Sequence, residues 1–544
     1  MRATTCAGVC LLAMVSATHS VAQTPAPETP TLSVGAIVKG LQFDWEPVVG
    51  ASWYQLEYSA HRNAAFVQHG YVMDASITTT HYRFPLHLYD WTHARYRLAA
   101  CNAAGCTRSA EVSVSSLRRF AVGYFKPAQS KTGQRFGADM DFAADRINYI
   151  SAAPDELIAS GTGAKPGGAL YVFKFNGGKW RQRVRLVPPI PAAIRGGNVM
   201  NVAISADGYT VALGMPNYLQ QQDNDRSGEV FVFHSDGTKF VRTRIPAGTR
   251  SLFGRWIGLS DAGDTLAIAH GVNSNPALPP RVAIFKLVNG TWTQVRGIAN
   301  RSGRDEICGQ GVLSADGSTV AESCEEGPVG SIPARVYIRT HSGDNWSTRA
   351  DLPLRMSSPS EFGYGHGGIA VDRTGTVVAA QVFARGGPAA DDGPSEVHVF
   401  EREDGVYEKE AVLTPGTWRS NAQRSAFGQS IAISGNGIVL AVGDTLDNGL
   451  GNGPRAAPLI AGTARTGAVY VYRYRNDWWY LYNMVKPNYH PDDTPGLTFG
   501  NDVEFDDEGI AMLVGESGES SNAQGISGDW QNITAPASGA VWLY

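Results

Sequence analysis

The sequence predicts an all-β protein, with a small β-sandwich followed by a seven-bladed β-propeller. Glycine is abundant (62 of 544 residues) and charged residues make up only 18 %, a composition that suits many short strands joined by tight turns. Beyond residue 118 the chain repeats a unit of four strand-like segments, which is the pattern of propeller blades. Repetition also explains the length, because 544 residues exceed what one ordinary core accommodates.

The first segment, Met1–Ala22, predicts a secretory signal. A basic residue, Arg2, precedes an apolar stretch from Cys6 to Ala17, and Ser20-Val21-Ala22 is a small-x-small cleavage signature. The stretch is too short to span a bilayer of about 30 Å. A lipoprotein anchored at Cys10 is the alternative, although the residues before it form a poor lipid-attachment box. We therefore expect a secreted protein (periplasmic, cell-surface or extracellular) without a membrane span.

The charge balance gives no reason to expect nucleic acid as a partner. The formal net charge is −4 at pH 7, whereas binding to phosphate backbones or anionic membranes relies on basic patches. An extracellular protein or a polysaccharide is the partner class that remains.

Cleavage after Ala22 would leave four cysteines, which are Cys101, Cys106, Cys308 and Cys324. An even number falling in two local pairs of an exported chain predicts two disulfides. A metal site is the alternative, but it needs four converging ligands and the two pairs lie in different predicted domains.

A proline-rich linker at residues 23–30 precedes the predicted sandwich at residues 31–117. Alternation places Leu41, Phe43 and Trp45 on one face of a strand, and later Tyr96-Arg-Leu98 leads into the turn Asn102–Gly105. These residues resemble a fibronectin type III domain, whose core tryptophan falls on Trp45 and whose Tyr-x-Leu strand falls on Tyr96 and Leu98. The domain is expected to be a spacer or a docking module.

Seven units occupy residues 118–544. Each opens with Phe-Gly or a degenerate version of it, and the openings are Phe136-Gly137, Gly196-Gly197, Phe253-Gly254, Cys308-Gly309, Phe362-Gly363, Phe427-Gly428 and Phe499-Gly500. An apolar strand, a Gly-ended turn and a second apolar strand follow, and an alternating aromatic strand such as Glu229-Val-Phe-Val-Phe233 comes third. A fourth strand marked by an aromatic residue completes most units.

The unit resembles the FG-GAP repeat of integrin α-subunit propellers, through its Phe-Gly openings and the Ser-Gly before the third strand (Ser227-Gly228, Ser538-Gly539). Calcium-binding members of that family carry a nine-residue acidic loop between the first two strands, and here the loop is a tight turn. Because Ca²⁺ needs six to eight oxygens, we interpret Asp207, Asp316 and Asp507 as turn formers that bond their own backbone. No cofactor is expected.

The last unit ends after its third strand, at Tyr544. The segment 118–127 precedes the first unit and resembles the fourth strand of the sixth, Trp479–Pro487, down to the terminal Lys-Pro. We predict that Phe120–Phe125 is the outermost strand of the seventh blade and pairs with Val541–Leu543, which would cover an exposed edge. The alternative is that the segment is an irregular linker.

No catalytic constellation stands out. The chain contains no Gly-x-Ser-x-Gly, His-Glu-x-x-His or phosphate-binding Gly-rich motif. His366 and His270 could each act as a base in a polysaccharide lyase, but scattered histidines are more often structural. The acidic residues Asp305, Glu306, Glu322, Glu325 and Glu326 could pair for sugar chemistry, although a solvated loop near Cys308 and Cys324 explains them as well.

The loops between the second and third strands are long in three units, at residues 216–226, 445–465 and 517–537, and all must emerge on one face of a propeller. Candidate ligand-binding residues in them are Tyr218, Asp223, Asp225, Asp447, Asn448 and Trp530. Decoration without a ligand is the alternative. The sequence thus favours a non-enzymatic binding or adhesion protein that holds a protein or glycan on this face. A secreted carbohydrate-active enzyme (lyase or hydrolase) with an accessory fibronectin-like domain is the second hypothesis.

Overall fold

The computed structural model describes residues 24–88, 93–160, 163–189, 193–194, 199–219, 228–246, 252–270, 281–298, 306–326, 334–342, 345–356, 364–384, 395–415, 426–449, 451, 453, 465–488 and 498–544. Within these ranges the chain is all-β, as predicted, apart from a 3₁₀ turn at Ser115–Leu117 and one helical turn at Arg118–Ala121. No helix of these residues is long and apolar enough to cross a membrane.

Seven four-stranded antiparallel sheets form most of the described chain. We number them by the order of their first strands, and in six of them the four strands follow one another both in sequence and in space. In sheet order they are Met140–Phe142, Asn148–Ala153, Ala169–Asn176 and Lys179–Leu186; Asn201–Ile204, Thr210–Met215, Glu229–Ser235 and Phe240–Pro246; Ile257–Leu259, Thr265–Ala269, Val282–Val288 and Thr291–Ile298; Glu306–Leu313, Thr319–Glu326, Ala334–Ser342 and Asn345–Leu354; Tyr364–Val371, Val377–Ala384, Ser395–Glu403 and Val406–Leu413; Ile431–Ile433, Val439–Asp444, Ala468–Arg475 and Trp478–Val485.

The seventh sheet takes its fourth strand from the other end of the repeat region. Its order is Val503–Phe505, Met512–Glu516, Ala540–Leu543 and then Gly123–Phe125. The last two strands pair with Gly123 opposite Leu543, Tyr124 opposite Trp542 and Phe125 opposite Val541. The predicted pairing is therefore confirmed for these three residues. It is wrong for residues 120–122, because Phe120 and Ala121 lie in the helical turn that directly follows the 3₁₀ turn and Val122 ends that turn. Phe120 is exposed.

The first strands of the seven sheets form a ring. Each lies beside the first strand of the next sheet, and the first strands of the seventh and first sheets are also neighbours. The turns that follow these strands are linked in the same order by backbone hydrogen bonds of 2.8–3.2 Å, which join Asp145 to Ala206, Ala206 to Asp261, Asp261 to Ala315, Asp316 to Arg373, Arg373 to Gly435, and Gly435 to Asp507. An ion pair of 2.6 Å between Arg146 and Glu508 joins the seventh turn to the first.

The Phe-Gly openings latch one sheet to the glycine before the third strand of the preceding sheet. Parallel bridges connect Phe253 to Gly228, Phe499 to Gly467 and Phe136 to Gly539. These glycines have φ of 68°, 78° and 78°, a region that suits glycine. A Cβ at Gly539 would lie 2.0 Å from the carbonyl oxygen of Phe136. The close backbone contact therefore explains why both halves of the motif recur.

Apolar side chains fill the space between neighbouring sheets. Between the first and second sheets, for example, Val172, Leu213 and Phe231 are fully buried in one cluster. Phe125, in the fourth strand of the seventh sheet, packs edge-on against two rings of the first sheet. Its ring centre lies 5.3 Å from that of Tyr149 and 5.6 Å from that of Phe173. Burial of this kind is the main stabilising contribution to such a fold.

The N-terminal region contains two further sheets. One has the order Ser33–Ile37, Gly40–Asp44 and Thr79–Arg83. The other is built on Trp53–Ser59 and Arg95–Asn102, flanked by Val67–Gln68, Met73–Asp74, Gly105–Arg108 and Val112–Ser113. Trp45, Tyr96 and Leu98 are buried, as the alternation predicts, and Phe43 packs on Tyr96 with ring centres 4.8 Å apart.

Two compact units divide the chain. The smaller comprises Gln42–His81 and Trp91–Ser115 together with the chain up to Gly35. The larger comprises Ser116–Tyr544 and two short segments, Ala36–Leu41 and Tyr82–Asp90, from within the predicted sandwich. Two small antiparallel sheets complete the larger unit. One is the hairpin Leu157–Ser160 with Gly163–Pro166, and the other pairs Ala193–Ile194 with Tyr218–Leu219.

Both predicted disulfides are present. Cys101 is bonded to Cys106 and Cys308 to Cys324. Each pair occupies directly opposed positions of an antiparallel hairpin, where the spacing across the strands is short. The hairpin register therefore brings the sulfurs together in both cases.

Candidate functional site

The ring of first strands surrounds a cavity of about 510 Å³, which we call the central cavity. All seven sheets contribute to its lining. Its size lies within the range of small-ligand sites in proteins, roughly 300–1,000 Å³. The central cavity is therefore the first place to look for chemistry.

Arg373 closes the central cavity at the end that carries the turns. It belongs to the turn of the fifth sheet, and its Nε and Nη2 donate to the two carboxylate oxygens of Asp507 in the seventh sheet at 2.8 and 2.7 Å. Its Nη1 donates to Asp261 of the third sheet. A bidentate pair of this kind fixes the guanidinium geometry. One side chain thus ties three sheets across the cavity.

The turn-former prediction is confirmed for two of its three aspartates. Oδ1 of Asp207 accepts from the Ser205 hydroxyl at 2.6 Å and from the Tyr209 amide at 2.9 Å, and Asp316 makes the equivalent bonds in the fourth sheet. It is wrong for Asp507, whose carboxylate bonds Arg373 across the cavity instead of its own turn.

Four carboxyl groups line one wall of the central cavity. Asp139 immediately precedes the first strand of the first sheet, and Asp141 lies on that strand. Asp502 and Glu504 occupy the matching positions in the seventh sheet. Oδ2 of Asp139 accepts from the Val202 amide at 2.6 Å. Oδ2 of Asp502 accepts from the amide of Met140 at 2.6 Å. These bonds hold the carboxyl groups in place without supplying a cation.

Burial raises the pKa of all four carboxyl groups. The pKa of Asp141 and of Asp502 rises to about 7, mainly because the surrounding protein disfavours the charged form. The pKa of Asp139 and that of Glu504 lie well above the usual range for the same reason, and the neighbouring carboxylates raise them further. The side chains retain some exposure because they face the cavity. Near neutral pH this wall therefore both donates and accepts hydrogen bonds.

The opposite wall is aliphatic. Its side chains come from the first strands of the third to sixth sheets and include Ile257, Leu259, Val312, Ile369 and Ile431. Exposed amide side chains, Gln310 and Gln429, lie near the beginning of these strands, away from the turns. The central cavity is consequently polar on one side, apolar on the other and closed by Arg373 at one end.

Within the ranges that the structure describes, no three or more His, Cys, Asp and Glu side chains are grouped so that they could hold a metal ion. Backbone amides fix the carboxyl groups of Asp139, Asp141 and Asp502 instead, and the arrangement of the wall suits hydrogen bonding to an organic ligand.

Sequence reasoning missed this wall. The available signal was the alternation of acidic residues, Asp139-Met-Asp141 and Asp502-Val-Glu504, on strands whose counterpart in the second unit carries Asn201 and Ala203 at the same positions. Alternate residues of a strand point to the same face. Acidic residues on the innermost face of two sheets that become neighbours only when the ring closes could have suggested a shared site.

The structure places the predicted loop residues in several environments. Tyr218 is buried, with its ring 5.7 Å from that of Phe231. Asp447 is fully buried and bonds Lys486 Nζ at 2.5 Å and the Tyr470 hydroxyl at 2.6 Å. Trp530 is half-buried against the rings of Tyr124 and Trp542. Asn448 is half-buried beside Asp447, and Asp223 and Asp225 lie outside the described residues. Ligand binding by these residues stays a prediction.

The Asp447–Lys486 pair has a counterpart in the next sheet. There Lys126 Nζ bonds Glu519 at 2.5 Å, and the Tyr124 hydroxyl bonds the same carboxylate at 3.0 Å. Lys126 and Lys486 are the lysines of the Lys-Pro pairs with which the segment 118–127 and the fourth strand of the sixth unit both end. Paired buried charges are expensive to disrupt, so these residues anchor the bases of the long loops.

The histidines and acidic residues considered for catalysis do not line the central cavity in the described structure. His270 packs on Phe253 with ring centres 4.8 Å apart, and burial lowers its pKa to about 4. Glu322 is buried between Arg281 at 2.6 Å and Arg339 at 2.8 Å. His366 pairs through its backbone with Val382. The side chains of His366, Glu306, Glu325 and Glu326, and the whole of Asp305, lie outside the described residues.

Comparisons with known proteins assign no family. No family model matches the chain, and no curated protein matches it. Among solved structures, the β-propeller domain of Cps50 (Swd1) from Myceliophteria thermophila has 10 % sequence identity and a TM-score of 0.43, with 77 % of this chain and 98 % of that chain covered. A 6-phosphogluconolactonase candidate from Bacteroides fragilis has 9 % identity and a TM-score of 0.40, with coverage of 81 % and 98 %. The function is therefore argued from the site alone.

Proposed function

We propose that this chain is an exported, non-enzymatic binding protein that holds the end of a glycan chain in its central cavity. In this proposal the seven sheets are the blades of one β-propeller of the FG-GAP kind, preceded by a fibronectin type III-like domain. The long loops between second and third strands would surround the entrance and add contacts. The proposal also retains the secretory signal and a role in adhesion.

The observation that carries the proposal is the two-sided lining of the central cavity. A pyranose ring presents hydroxyl groups at its edge and C–H groups on its faces. Asp139, Asp141, Asp502 and Glu504 suit the hydroxyl groups, and the aliphatic wall suits the faces. Polar groups at fixed positions orient the ligand in sites of this kind. Arg373 closes one end, so a chain end fits better than the middle of a polymer.

A glycan array followed by titration calorimetry tests this function. Asp502→Asn is expected to weaken binding of the best glycan by about tenfold or more, because the amide cannot reproduce the carboxyl hydrogen bonds. Asp207→Asn, in an exposed turn, is the matched control and should leave the affinity within about twofold. Binding that is lost equally in both variants, or retained in both, would contradict the proposal. Recognition of a protein and of no glycan would also contradict it.

Glycoside hydrolysis is the second candidate, and the raised carboxyl pKa values favour it. The charge of Asp502 raises the pKa of Asp139 beyond the effect of burial, and a carboxyl protonated near pH 7 can serve as a general acid. A panel of polysaccharides assayed for new reducing ends and unsaturated uronates separates the candidates. Turnover that disappears in Asp502→Asn would replace the binding role by hydrolysis, whereas glycan binding without product supports the first proposal.

A further inference from the structure

A second cavity lies beside the outer half of the first sheet, away from the central cavity. It measures about 760 Å³ and is lined by parts of three segments: the hairpin Leu157–Ser160 with Gly163–Pro166, the stretch from Ala128 to Lys131, and the third and fourth strands of the sheet. From the second hairpin strand only Ala164 lines it. We call it the hairpin cavity. It belongs entirely to the larger compact unit.

The hairpin supplies an apolar wall. Leu157, Ala159 and Ala164 lie on one face of it, because alternate residues and directly opposed residues share a face. All three line the cavity together with Ile158, and Leu157 is 52 % exposed. A two-stranded hairpin is only marginally stable alone in water. An apolar group bound against this wall would bury the exposed face.

The floor of the hairpin cavity carries a fixed cation. The carboxylate of Glu156 is buried, and its Oε1 accepts from Arg185 Nε at 2.9 Å and Nη2 at 2.6 Å. Its Oε2 accepts from the Tyr171 hydroxyl at 2.6 Å. Glu156 therefore has both oxygens engaged. No hydrogen bond from Arg185 Nη1 to the described residues is seen, and the Arg185 side chain is 37 % exposed and lines the cavity.

A second cation lies on the rim. The backbone amide of Lys131 donates to Gln134 Oε1 at 3.2 Å, whereas its ammonium group contacts no acceptor in the part of the chain that is described. Among the charged residues lining the cavity are two cations, Lys131 and Arg185, and one anion, Glu156. Because Glu156 is already bonded on both oxygens, the lining complements a single negative charge.

We propose that the hairpin cavity binds an amphiphilic carboxylate, with the anionic head at Lys131 and Arg185 and the hydrocarbon body against Leu157, Ala159 and Ala164. The volume is that of a site for a small organic molecule. Charge-assisted hydrogen bonds fix the head, and burial of the body provides most of the affinity. This site is independent of the glycan site proposed for the central cavity.

Two probes with the same chain length and opposite charge test the proposal. The intact protein is titrated with decanoate and with decyltrimethylammonium below their micelle concentrations, and heats of binding are measured. Decanoate should bind at least tenfold more tightly. Equal affinities, or no binding of decanoate at millimolar concentration, would overturn the proposal.

Three variants locate the site. Lys131→Gln is expected to weaken decanoate binding five- to tenfold, whereas Lys165→Gln, on the same hairpin but outside the cavity lining, should change it less than twofold. Ala164→Trp, which fills the cavity from an exposed strand, should abolish binding while leaving the melting temperature close to that of the unsubstituted protein. Decanoate binding that survives Ala164→Trp, or that responds equally to both lysine substitutions, would refute the site. Asp502→Asn should have no effect, which separates this test from that of the glycan site.

Discussion

Two sets of carboxyl groups in this protein differ, at the scale of single residues, in what neutralises them. Glu156, Glu322, Asp447 and Glu519 are buried carboxylates, each held by a lysine or arginine within 2.5–2.9 Å. Three carboxyl groups of the central cavity, those of Asp139, Asp141 and Asp502, have backbone amides as partners and a raised pKa instead. The carboxylates of the first set are thus neutralised by a lysine or arginine, and the carboxyl groups of the cavity wall are neutralised by protonation. The carboxyl groups of the central cavity lower the stability of the folded state when they ionise. Groups that cost stability in this way are typical of functional sites.

The pKa of Asp502 gives a prediction about pH. Its folded pKa, about 7, exceeds its ordinary value of 3.8, so the folded state binds the proton more tightly than the unfolded state. The contribution to stability is therefore complete below pH 4 and is lost as the pH rises to 7. Asp502→Asn should be more stable than the unsubstituted protein at pH 8, by about 1–3 kcal/mol, and the difference should shrink towards pH 4.

Urea denaturation followed by tryptophan fluorescence between pH 4 and 8 measures this effect. Asp207→Asn, in an exposed turn, should show the same pH profile as the unsubstituted protein. A loss of stability at pH 8 in Asp502→Asn would show that the carboxylate, not the protonated acid, supports the fold.

At the scale of elements, the Phe-Gly opening and the glycine before the third strand act as one latch between consecutive sheets. The bridge between Phe136 and Gly539 makes this contact between the first and last sheets. Because the two backbones approach closely, the glycine is required for space as well as for its positive φ.

Substitution of the latch glycine separates these two requirements. Gly539 and Gly133 have similar φ values of 78° and 75°, but a Cβ at Gly133 meets nothing within 4 Å. Gly133→Ala should cost about 1 kcal/mol through its backbone conformation alone. Gly539→Ala should cost about 3 kcal/mol or more, because overpacking against Phe136 is added. Denaturation midpoints of the two variants give the comparison, and equal midpoints would show that the latch carries no steric constraint.

At the scale of the whole larger unit, the ring is joined by residues from both ends of the repeat region. Gly123–Phe125 completes the seventh sheet, and its Phe125 packs against Tyr149, Phe173 and Trp180 of the first sheet. A strand from before the repeats thus both covers the edge of one sheet and fills the core beside the next. Unpaired edges are aggregation sites, so this strand protects the molecule as well as stabilising it.

Truncation of Phe125 tests the closure. Phe125→Ala should destabilise the protein by about 3–5 kcal/mol, the usual cost of removing a buried phenylalanine, and should increase aggregation on heating. Phe120→Ala, five residues earlier in an exposed helical turn, is the control and should cost less than about 1 kcal/mol. Thermal melting with light scattering measures both effects. If the two variants melt together, the strand is dispensable for the fold.

Features that depend on neighbours along the chain could be predicted from the sequence. Strand alternation, Gly-ended turns and the two hairpin disulfides are set within a few residues, so they could be predicted; Cys308 and Cys324 meet because one hairpin register places them opposite each other. The closing strand was predictable because Lys126-Pro127 repeats a pattern seen in the sixth unit. Its helical beginning was not, since Phe120 carries the same apolar signal in a helix as in a strand.

Which side chains meet at the centre depends on how the sheets are arranged in three dimensions. The Met140 amide and the Asp502 carboxylate are 362 residues apart in sequence, and Arg373 reaches Asp261 and Asp507 in sheets that are not its neighbours. These contacts depend on the radius and closure of the ring, which no local pattern encodes. The same holds for Tyr218 and Asp447: their loop position suggested exposure, but packing and a buried lysine place both in the interior.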